Sequence, residues 1–565
     1  MCAAPAPGHA ACLGSQLVAR RVPVGSTQAR TAAVTAPAAA ALPDALRGPQ
    51  GGYSPDALAS AYSLPSTSPA AKNRVVALID ACYPANILKS LNGFDRNYGY
   101  PAETTDTFRI KRMTTTDDEC TLPGQRDGWA HETILDVEAV RGVCRACKIL
   151  LVQAANDLLT DLADAVDVAA KYVWVSGRAR LRVTAISNSY GASEDTDLPP
   201  NYPDHYRHPN IAVIAANGDH GWFGWDAVNA GFLPENSAEI PAALNTVIGV
   251  GGTSLLLNSD GARASERVWN RNGPSNAVGS DGSTGGALGA SGGGCSRLHD
   301  ARGWQRSVNT YASLRCGAGK RSSTDIAAIG DPFTGYDIFV AVGNSGVWLT
   351  VGGTSLSSPV IAAMWALAGG GGGVRYPAMS LYGHYKRQPQ TLYDVTRGGN
   401  GLCGSAAVAE CASEWEGNPN EYYVARGYDA GTQVDCEFPL RGSPYRSGST
   451  QCRAAPGYDG PTGVGTPNGL GAFRPMSPTA RISLPRAARH RVAAHFVGLR
   501  SASPFPGGHI VKYHWSWGDG RGVITAKGGR IKHTYARAGT YRVRLVVWDN
   551  YNRKSERREV VLRVR

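Results

Sequence analysis

Five short, predominantly apolar runs between residues 75 and 250 constrain the fold more than any other feature of the sequence. In chain order they are Val75–Ile79, Lys148–Val152, Val183–Ile186, Ile211–Ile214 and Thr246–Val250. Strands without polar alternation are typical of a parallel sheet that helices cover on both faces. Segments with helical spacing at 129–143 and 158–172 lie between the runs. The alternation predicts an α/β fold with a doubly wound, mostly parallel sheet.

The pattern changes in the last part of the chain. A proline-bearing stretch at 474–480 is predicted to be a linker, and alternating strands such as Tyr541–Val547 follow it. This alternation indicates an all-β sandwich over 481–565. Residues 1–47 are rich in Ala and Pro and are expected to form a poorly ordered lead. The remaining residues, 48–473, are the predicted main domain.

Short motifs in the C-terminal segment resemble those of the PKD (polycystic kidney disease-type) domain. They are Trp515-Ser-Trp-Gly-Asp-Gly520, His533-Thr-Tyr535, Gly539-Thr-Tyr541 and Asp549-Asn550, with Trp517 in place of the usual Phe. The segment 481–565 also holds 19 Lys and Arg against 4 Asp and Glu, whereas the other residues hold 38 against 41. An anionic polymer, nucleic acid included, or an anionic surface is therefore an expected partner.

Cysteine usage favours an oxidising compartment. Many of the 12 cysteines lie close together in sequence, at positions 2 and 12, 144 and 147, 295 and 316, 403 and 411, and 436 and 452, which leaves 82 and 120. Such spacing favours disulfide-closed loops and a secreted protein, although connectivity stays open and no signal peptide is recognisable. Cys144-Arg-Ala-Cys147 is interpreted as a structural disulfide, with a redox or zinc site as the alternative. No apolar run is long enough to span a bilayer.

Ser355 is the candidate nucleophile. It lies in Gly352-Gly-Thr-Ser-Leu-Ser-Ser-Pro359, ahead of a helical run at 360–367. At a helix N-terminus, free N–H groups can stabilise an oxyanion, and Pro359 suits the first turn. The sequence Gly-Gly-Thr-Ser recurs at 251–254. There it continues into Leu255-Leu-Leu257, which is predicted to be a strand and not a helix, so Ser254 is predicted to be structural.

A serine nucleophile needs a base, which subtilisins provide as the histidine of a His-Gly-Thr segment. This sequence has no such segment, so an acidic pair is the candidate base. Glu132 and Asp136 are four residues apart and share one helical face. Two close carboxyls tend to share a proton and can pass it to and from a serine. Glu138 lies off this face and is expected to be solvated, and His131 is interpreted as a neighbour. Asp80 ends the first strand without the Ser-Gly that follows it in subtilisins.

Asp219 completes the candidate set. The run at 211–214 leads into Asn217-Gly-Asp-His-Gly221, which places Asp219 at the carboxyl edge of the sheet, where sites of α/β proteins lie. A turn aspartate is the alternative. Asp219 can donate a hydrogen bond to an oxyanion only when its carboxyl is protonated, which favours acidic conditions.

The ordered set E-x-x-x-D, G-D-x-G and G-T-S-x-x-x-P resembles that of the sedolisin (serine-carboxyl peptidase) family over residues 51–473. The resemblance implies a subtilisin-like fold and a secreted, monomeric endopeptidase acting on proteins or peptides. Glu132 would be the base, Asp136 its partner, Asp219 the oxyanion-hole acid and Ser355 the nucleophile. Family members usually carry a large N-terminal prodomain, but fewer than 60 residues precede this unit, so the sequence leaves open whether activation requires loss of a prodomain.

The same resemblance implies one Ca²⁺ site near the end of the main domain. Its carboxylates would come from Asp394 and Asp459, and its main-chain oxygens from Val395, Ala455 and Gly457. Hard oxygen ligands suit Ca²⁺. Two alternatives to an acid-acting peptidase remain: a binding protein on an inactive peptidase scaffold, and a conventional subtilisin-like enzyme, which the missing His-Gly-Thr disfavours.

Overall fold

The structure is a computed structural model. The residues that it describes are 8–12, 15–16, 42–65, 69–82, 84, 86–114, 125–194, 196–222, 225–226, 231–232, 238–270, 289–400, 402–403, 434–435, 450–521 and 523–565. Over these residues, no helix combines the length and the apolar character that crossing a membrane requires. They divide into two compact units, and the second consists of Gly303–Val308, Tyr382–Pro389 and Pro475–Arg565.

A nine-stranded sheet is the centre of the first unit. Its strands are β1 Val75–Asp80, β2 Phe108–Arg112, β3 Lys148–Gln153, β4 Val173–Ser176, β5 Ala179–Asn188, β6 Ala212–Ala216, β7 Ile248–Leu257, β8 Arg263–Val268 and β9 Ile326–Ile329. The order is β8–β7–β6–β5–β1–β3–β2, with β9 beside β7 and β4 beside β5. Only the β7–β8 and β4–β5 pairs of this sheet are antiparallel. The prediction of a mostly parallel sheet is confirmed.

Helices cover both faces of the sheet. Over the described residues the α-helices are α1 Pro55–Ala61, α2 Ile87–Asn97, α3 Gln125–Val143, α4 Leu159–Lys171, α5 Gly303–Arg306, α6 Thr354–Leu367 and α7 Ala378–Arg387. Every residue of β1 is buried. Val75, Ala77 and Ile79 share a core with the apolar side of α4. Alternate side chains point to the other face, where α3 and α6 pack against β1 and against each other.

Shorter pairs complete the first unit. Tyr336–Val342 and Ser345–Gly352 form a hairpin that packs against α2 and α3. The other short strands are Ala11–Cys12, Ser15–Gln16, Tyr190–Ser193, Trp225–Asp226, Gly231–Phe232, Glu239–Ile240, Cys295–Asp300, Lys320–Ser322, Leu392–Tyr393, Leu402–Cys403, Val434–Asp435 and Thr466–Pro467.

Part of the predicted poorly ordered lead is paired. Ala11–Cys12 pairs with Tyr190–Gly191, and Ser15–Gln16 pairs with Val351–Gly352. Most other residues of the lead lie outside the described part of the chain.

Two predicted disulfides are present, Cys144–Cys147 and Cys295–Cys316. Both Cys144 and Cys147 are fully buried, which supports the structural interpretation of this pair. Cys12, Cys82 and Cys452 are also disulfide-bonded. The other predicted cysteine pairs include residues whose side chains lie outside the described part of the chain.

The second unit contains the predicted β-sandwich. Its strands are β10 Ala493–Val497, β11 Ile510–Ser516, β12 Val523–Ala526, β13 Arg530–Thr534, β14 Gly539–Asp549 and β15 Arg558–Val564. One sheet pairs β10 with β13, and the other has the order β12–β11–β14–β15. Trp517 stacks on His533 with ring centroids 4.5 Å apart, and His533 Nε2 lies 2.8 Å from Asp519 Oδ2. These contacts join two of the PKD-like motifs.

Candidate active site

Glu132 and Asp136 lie one turn apart on α3, where that helix packs against α6 and β1. Glu132 is 2% exposed and Asp136 is fully buried. The hydroxyl of Ser189 donates to Asp136 Oδ1 at 2.8 Å. Glu132 has a hydrogen bond with Ser355. The acidic pair therefore faces the candidate nucleophile.

Ser355 is the second residue of α6 and is fully buried. Gly353 precedes the helix with a φ of 96°, a left-handed conformation that glycine adopts at low cost. The Ser355 hydroxyl donates to the main-chain oxygen of Ser189 at 3.2 Å and lies beside the Glu132 carboxyl. Ser189 thus contacts both the serine and the acidic pair.

The start of α6 differs from the prediction. The helix begins at Thr354, so Pro359 lies inside it rather than in its first turn. A residue with an N–H at 359 would bond the carbonyl of Ser355, four residues earlier, and proline has none. That carbonyl instead lies 3.4 Å from Ser189 Oγ, whose hydrogen is used in the shorter bond to Asp136.

Asp219 lies next to the start of α6. Its Oδ1 accepts the main-chain N–H of Thr354 at 2.7 Å and the Thr354 hydroxyl at 2.8 Å. Gly218, with a φ of 97°, provides the turn after β6. Because Thr354 directly precedes Ser355, the structure brings the four predicted residues of the site together.

Asp80 is a fourth carboxyl in the cluster, and the sequence prediction did not include it. It ends β1, is 1% exposed, and neither of its oxygens has a hydrogen-bond partner within the described part of the chain. Burial raises the pKa of Asp80 to about 8. The sequence signal for such a residue is an apolar, fully buried strand that ends in an acid, at the carboxyl edge of the sheet where α/β sites lie.

Burial is also the main cause of the raised pKa values of Glu132 and Asp136. For Glu132, the hydrogen bond with Ser355 opposes the rise, and the charges of Asp80 and Asp219 add to it. For Asp136, the charges of Asp80 and Glu132 add to the rise, and the Ser189 hydrogen bond opposes it. Like charges this close cannot all ionise, so Glu132 and Asp136 share a proton above the pH at which free carboxyls lose theirs.

Glu138 and Ser254 both lie outside the predicted catalytic set, and the structure shows the surroundings of each. Glu138 is fully buried, not solvated, and its Oε2 accepts the main-chain N–H of Phe339 at 2.7 Å. The prediction was wrong because the 336–352 hairpin covers the side of α3 that an isolated helix would expose. Ser254 lies in β7, and its hydroxyl donates to Asp331 Oδ2 at 2.5 Å, an arrangement suited to a structural role.

The segments expected to bind Ca²⁺ lie together. Gly457 N–H donates to Asp394 Oδ2 at 2.9 Å, and Ala455 N–H donates to Asp459 Oδ2 at 3.1 Å. Asp459 is fully buried, and burial, with a contribution from the charge of Asp394, raises its pKa. Neither carboxylate has a cationic side chain within ion-pair distance among the described residues.

The donor set suits a hard cation. The main-chain oxygens of Val395, Ala455 and Gly457 accept no main-chain hydrogen bond from any described residue. No group of three or more His, Cys, Asp or Glu side chains in the described ranges is arranged to hold a metal ion. A cation at this point would therefore have two carboxylates and main-chain oxygens as ligands.

Two family models match this chain and indicate its class of protein. Residues 118–370 match the model of the subtilase family, and residues 476–564 match that of the PKD domain. The solved structure of Pseudomonas sedolisin, described as a serine-carboxyl proteinase complexed with pseudo-iodotyrostatin, superposes with a TM-score of 0.52 and 24% identity, covering 74% of this chain and 95% of that one. This likeness supports the fold.

Curated relatives refine the class. Kumamolisin from Bacillus sp. (strain MN-32) is 30% identical over 240 residues, which are 41% of this chain and 39% of that protein. Sedolisin from Pseudomonas sp. (strain 101) is 32% identical over 193 residues, 34% of this chain and 29% of that protein. The chain thus spans well under half the length of the curated relatives it matches. The predicted resemblance to the sedolisin family, with a C-terminal PKD domain, is confirmed.

Proposed function

We propose that this chain is a serine-carboxyl endopeptidase that hydrolyses protein substrates at acidic pH. The observation that carries the proposal is the contact of Ser355 with a buried acidic pair, next to a third acid at the N-terminus of α6. A surface serine beside solvated acids would not provide this chemistry, because close carboxyls share protons only where water does not separate their charges.

In the first step, Ser355 Oγ attacks the carbonyl carbon of the scissile peptide bond. Its proton passes to the carboxylate of Glu132, and Asp136 holds the proton that the pair shares. Ser189, which donates to Asp136, orients the pair. The carbon–nitrogen bond then breaks as Glu132 returns the proton to the leaving amine.

The negative charge that develops on the substrate oxygen needs a donor. Asp219 in its protonated form supplies an O–H, while its Oδ1 remains bound to Thr354. The main-chain N–H of Ser355 donates to no other main-chain group among the described residues, and it would reinforce this stabilisation. Water then attacks the acyl group on Ser355, with Glu132 as base, and releases the acid product.

The accessory features have supporting roles. Asp394 and Asp459 would hold Ca²⁺ with main-chain oxygens of Val395, Ala455 and Gly457, and the ion would neutralise charge and fix the loop. The basic PKD domain would bind a substrate or an anionic surface. Disulfides in the first unit fit a secreted location.

A comparison of two serine variants tests the proposal. Ser355→Ala is expected to abolish cleavage of a denatured protein, whereas the matched control Ser254→Ala is expected to retain it if it folds. Cleavage by the unaltered chain should peak below about pH 5, because free Asp titrates near pH 4 and Asp219 must hold its proton. Equal rates for Ser355→Ala and the unaltered chain, or a maximum at neutral pH, would contradict the mechanism. No cleavage by any of them would favour a binding protein on an inactive scaffold.

A further inference from the structure

An arginine-lined cleft in the second unit has no role in the chemistry proposed above. Its volume is about 630 Å³, within the range of roughly 300–1,000 Å³ typical of ligand sites. Segment 477–483 forms one side, and Arg500 and residues 556–558 complete the lining. All of these residues belong to the second unit.

The cleft concentrates unpaired positive charge. Arg481, Arg500, Arg557 and Arg558 line it, against a single carboxylate, Glu556. All four arginines are exposed. None of their guanidinium groups has a hydrogen bond or an ion pair with a residue in the described part of the chain. Arg542 and Arg544 on the same domain differ, since both are paired with Glu559. Guanidinium groups favour planar oxyanions such as carboxylates.

One side of the cleft is also a backbone stretch, 479–483, that pairs with a neighbouring strand at both of its ends. Thr479 exchanges main-chain hydrogen bonds with Ala502 at 2.8 and 3.1 Å, and Ser483 exchanges them with Val497 at 2.8 and 3.2 Å. In such pairing, alternate residues direct their N–H and C=O groups away from the neighbouring strand. Those of Ala480 and Ile482 are not bonded to any other described main-chain group.

From this combination we infer that the cleft binds an acidic polypeptide segment in extended conformation, as an added strand along 479–483. The unpaired main-chain groups of 480 and 482 would give main-chain hydrogen bonds, and alternate acidic side chains of the ligand would reach the arginines. An acidic polysaccharide would use the charge but not the edge. Nucleic acid is disfavoured because no aromatic side chain lines the cleft for base stacking.

The inference deepens the proposed function. It rests on that function because a peptidase has protein chains as its natural ligands. A second binding site of this kind would hold acidic regions of a substrate on the enzyme during cleavage elsewhere. It would thereby raise the effective concentration of the substrate's other segments.

Fluorescence anisotropy with the full chain tests the inference. The Ser355→Ala form prevents cleavage, and the probe is a labelled peptide of about ten residues with Glu at alternate positions, at about pH 6, where Glu is ionised. We expect Arg481→Gln to raise Kd about threefold, and Arg481→Gln with Arg557→Gln about tenfold. The matched control Arg486→Gln, an exposed arginine outside the cleft, should leave Kd unchanged.

Two further probes separate the sources of binding. A peptide of the same sequence with alternate N-methylated residues should bind weakly, because it cannot pair along the edge. Equal affinity of the N-methylated peptide, or an unchanged Kd in the double variant at an unchanged unfolding temperature, would overturn the inference. Binding of heparin without binding of the peptide would also overturn it and assign the cleft to a polysaccharide. Loss of cleavage in the unaltered chain with peptide binding intact would count against the proposed peptidase alone.

Discussion

At the scale of single residues, the candidate site depends on carboxyls that are removed from water. Glu132, Asp136 and Asp80 are each 2% exposed or less, and burial is the largest cause of the raised pKa of each. Position in the sequence showed that Glu132 and Asp136 share a helical face. It did not show Asp80 beside them, because that contact joins a strand end to a helix 52 or more residues away in the chain.

Asp80 has a consequence for stability that can be measured. Its pKa rises from 3.8 to about 8 on folding, so its contribution to stability is fully present below about pH 4 and is lost as pH rises toward 8. In this window the folded state holds a proton that the unfolded state has lost, so the free energy of unfolding falls by about 1 kcal/mol per pH unit. Asp80→Asn should therefore flatten the decline of the free energy of unfolding between pH 4 and pH 8.

Urea unfolding at several pH values measures this slope. The matched control is Asp197→Asn, at an exposed position, which should leave the slope as it is in the unaltered chain. Parallel curves for Asp80→Asn and the unaltered chain would show that Asp80 does not hold its proton in the folded state.

At the scale of elements, the sequence predicted what periodicity determines and missed what tertiary contacts determine. The five apolar runs overlap β1, β3, β5, β6 and β7, because continuous burial leaves a continuous apolar run. Pro359 was predicted in the first turn of α6, where proline is common, but it lies in the second turn because the helix begins at Thr354. The burial of Glu138 depends on the 336–352 hairpin, which no local pattern reveals.

Two short N-terminal strands pair with strand edges next to the candidate site, and this pairing predicts an effect on substrate access. Ala11–Cys12 pairs with Tyr190–Gly191, directly after Ser189, and Ser15–Gln16 pairs with Val351–Gly352, just before the helix of Ser355. Ser189 and Ser355 contact each other, and each of these two strand edges lies next to one of them in the sequence. A form without residues 1–16 should show a lower KM with little change in kcat, because both edges are open to a peptide substrate.

Steady-state kinetics with a peptide substrate measures the effect. The full chain with Cys2→Ser and Cys12→Ser is the matched control, because it retains both paired segments but lacks the cysteines that the truncation removes; it should behave as the full chain does. An unchanged KM after removal of residues 1–16 would mean that substrates do not use these edges.

At the scale of the whole molecule, the second unit contains more than the segment that matches the PKD domain. The second unit includes Gly303–Val308 and Tyr382–Pro389 from within the preceding part of the chain. Trp304 is 4% exposed, and its ring centroid lies 5.8 Å from that of Tyr551. Arg387 donates to the main-chain oxygen of Ser503 at 3.0 Å. Sequence alone predicted a clean change at 474–480 because strand periodicity begins there, and it gave no sign of these contributions.

A chain that ends after Arg474 should therefore be less stable than the full chain. Removal of Pro475–Arg565 uncovers Trp304, and exposing one large buried apolar side chain costs about 1.5–3 kcal/mol. We expect a lower Tm by calorimetry and a greater tendency to aggregate. The full chain with Tyr551→Ala, which removes only the ring beside Trp304, should lose a smaller part of that stability. A truncated chain with the Tm of the full chain would show that the 303–308 segment is stable without the domain that contacts it.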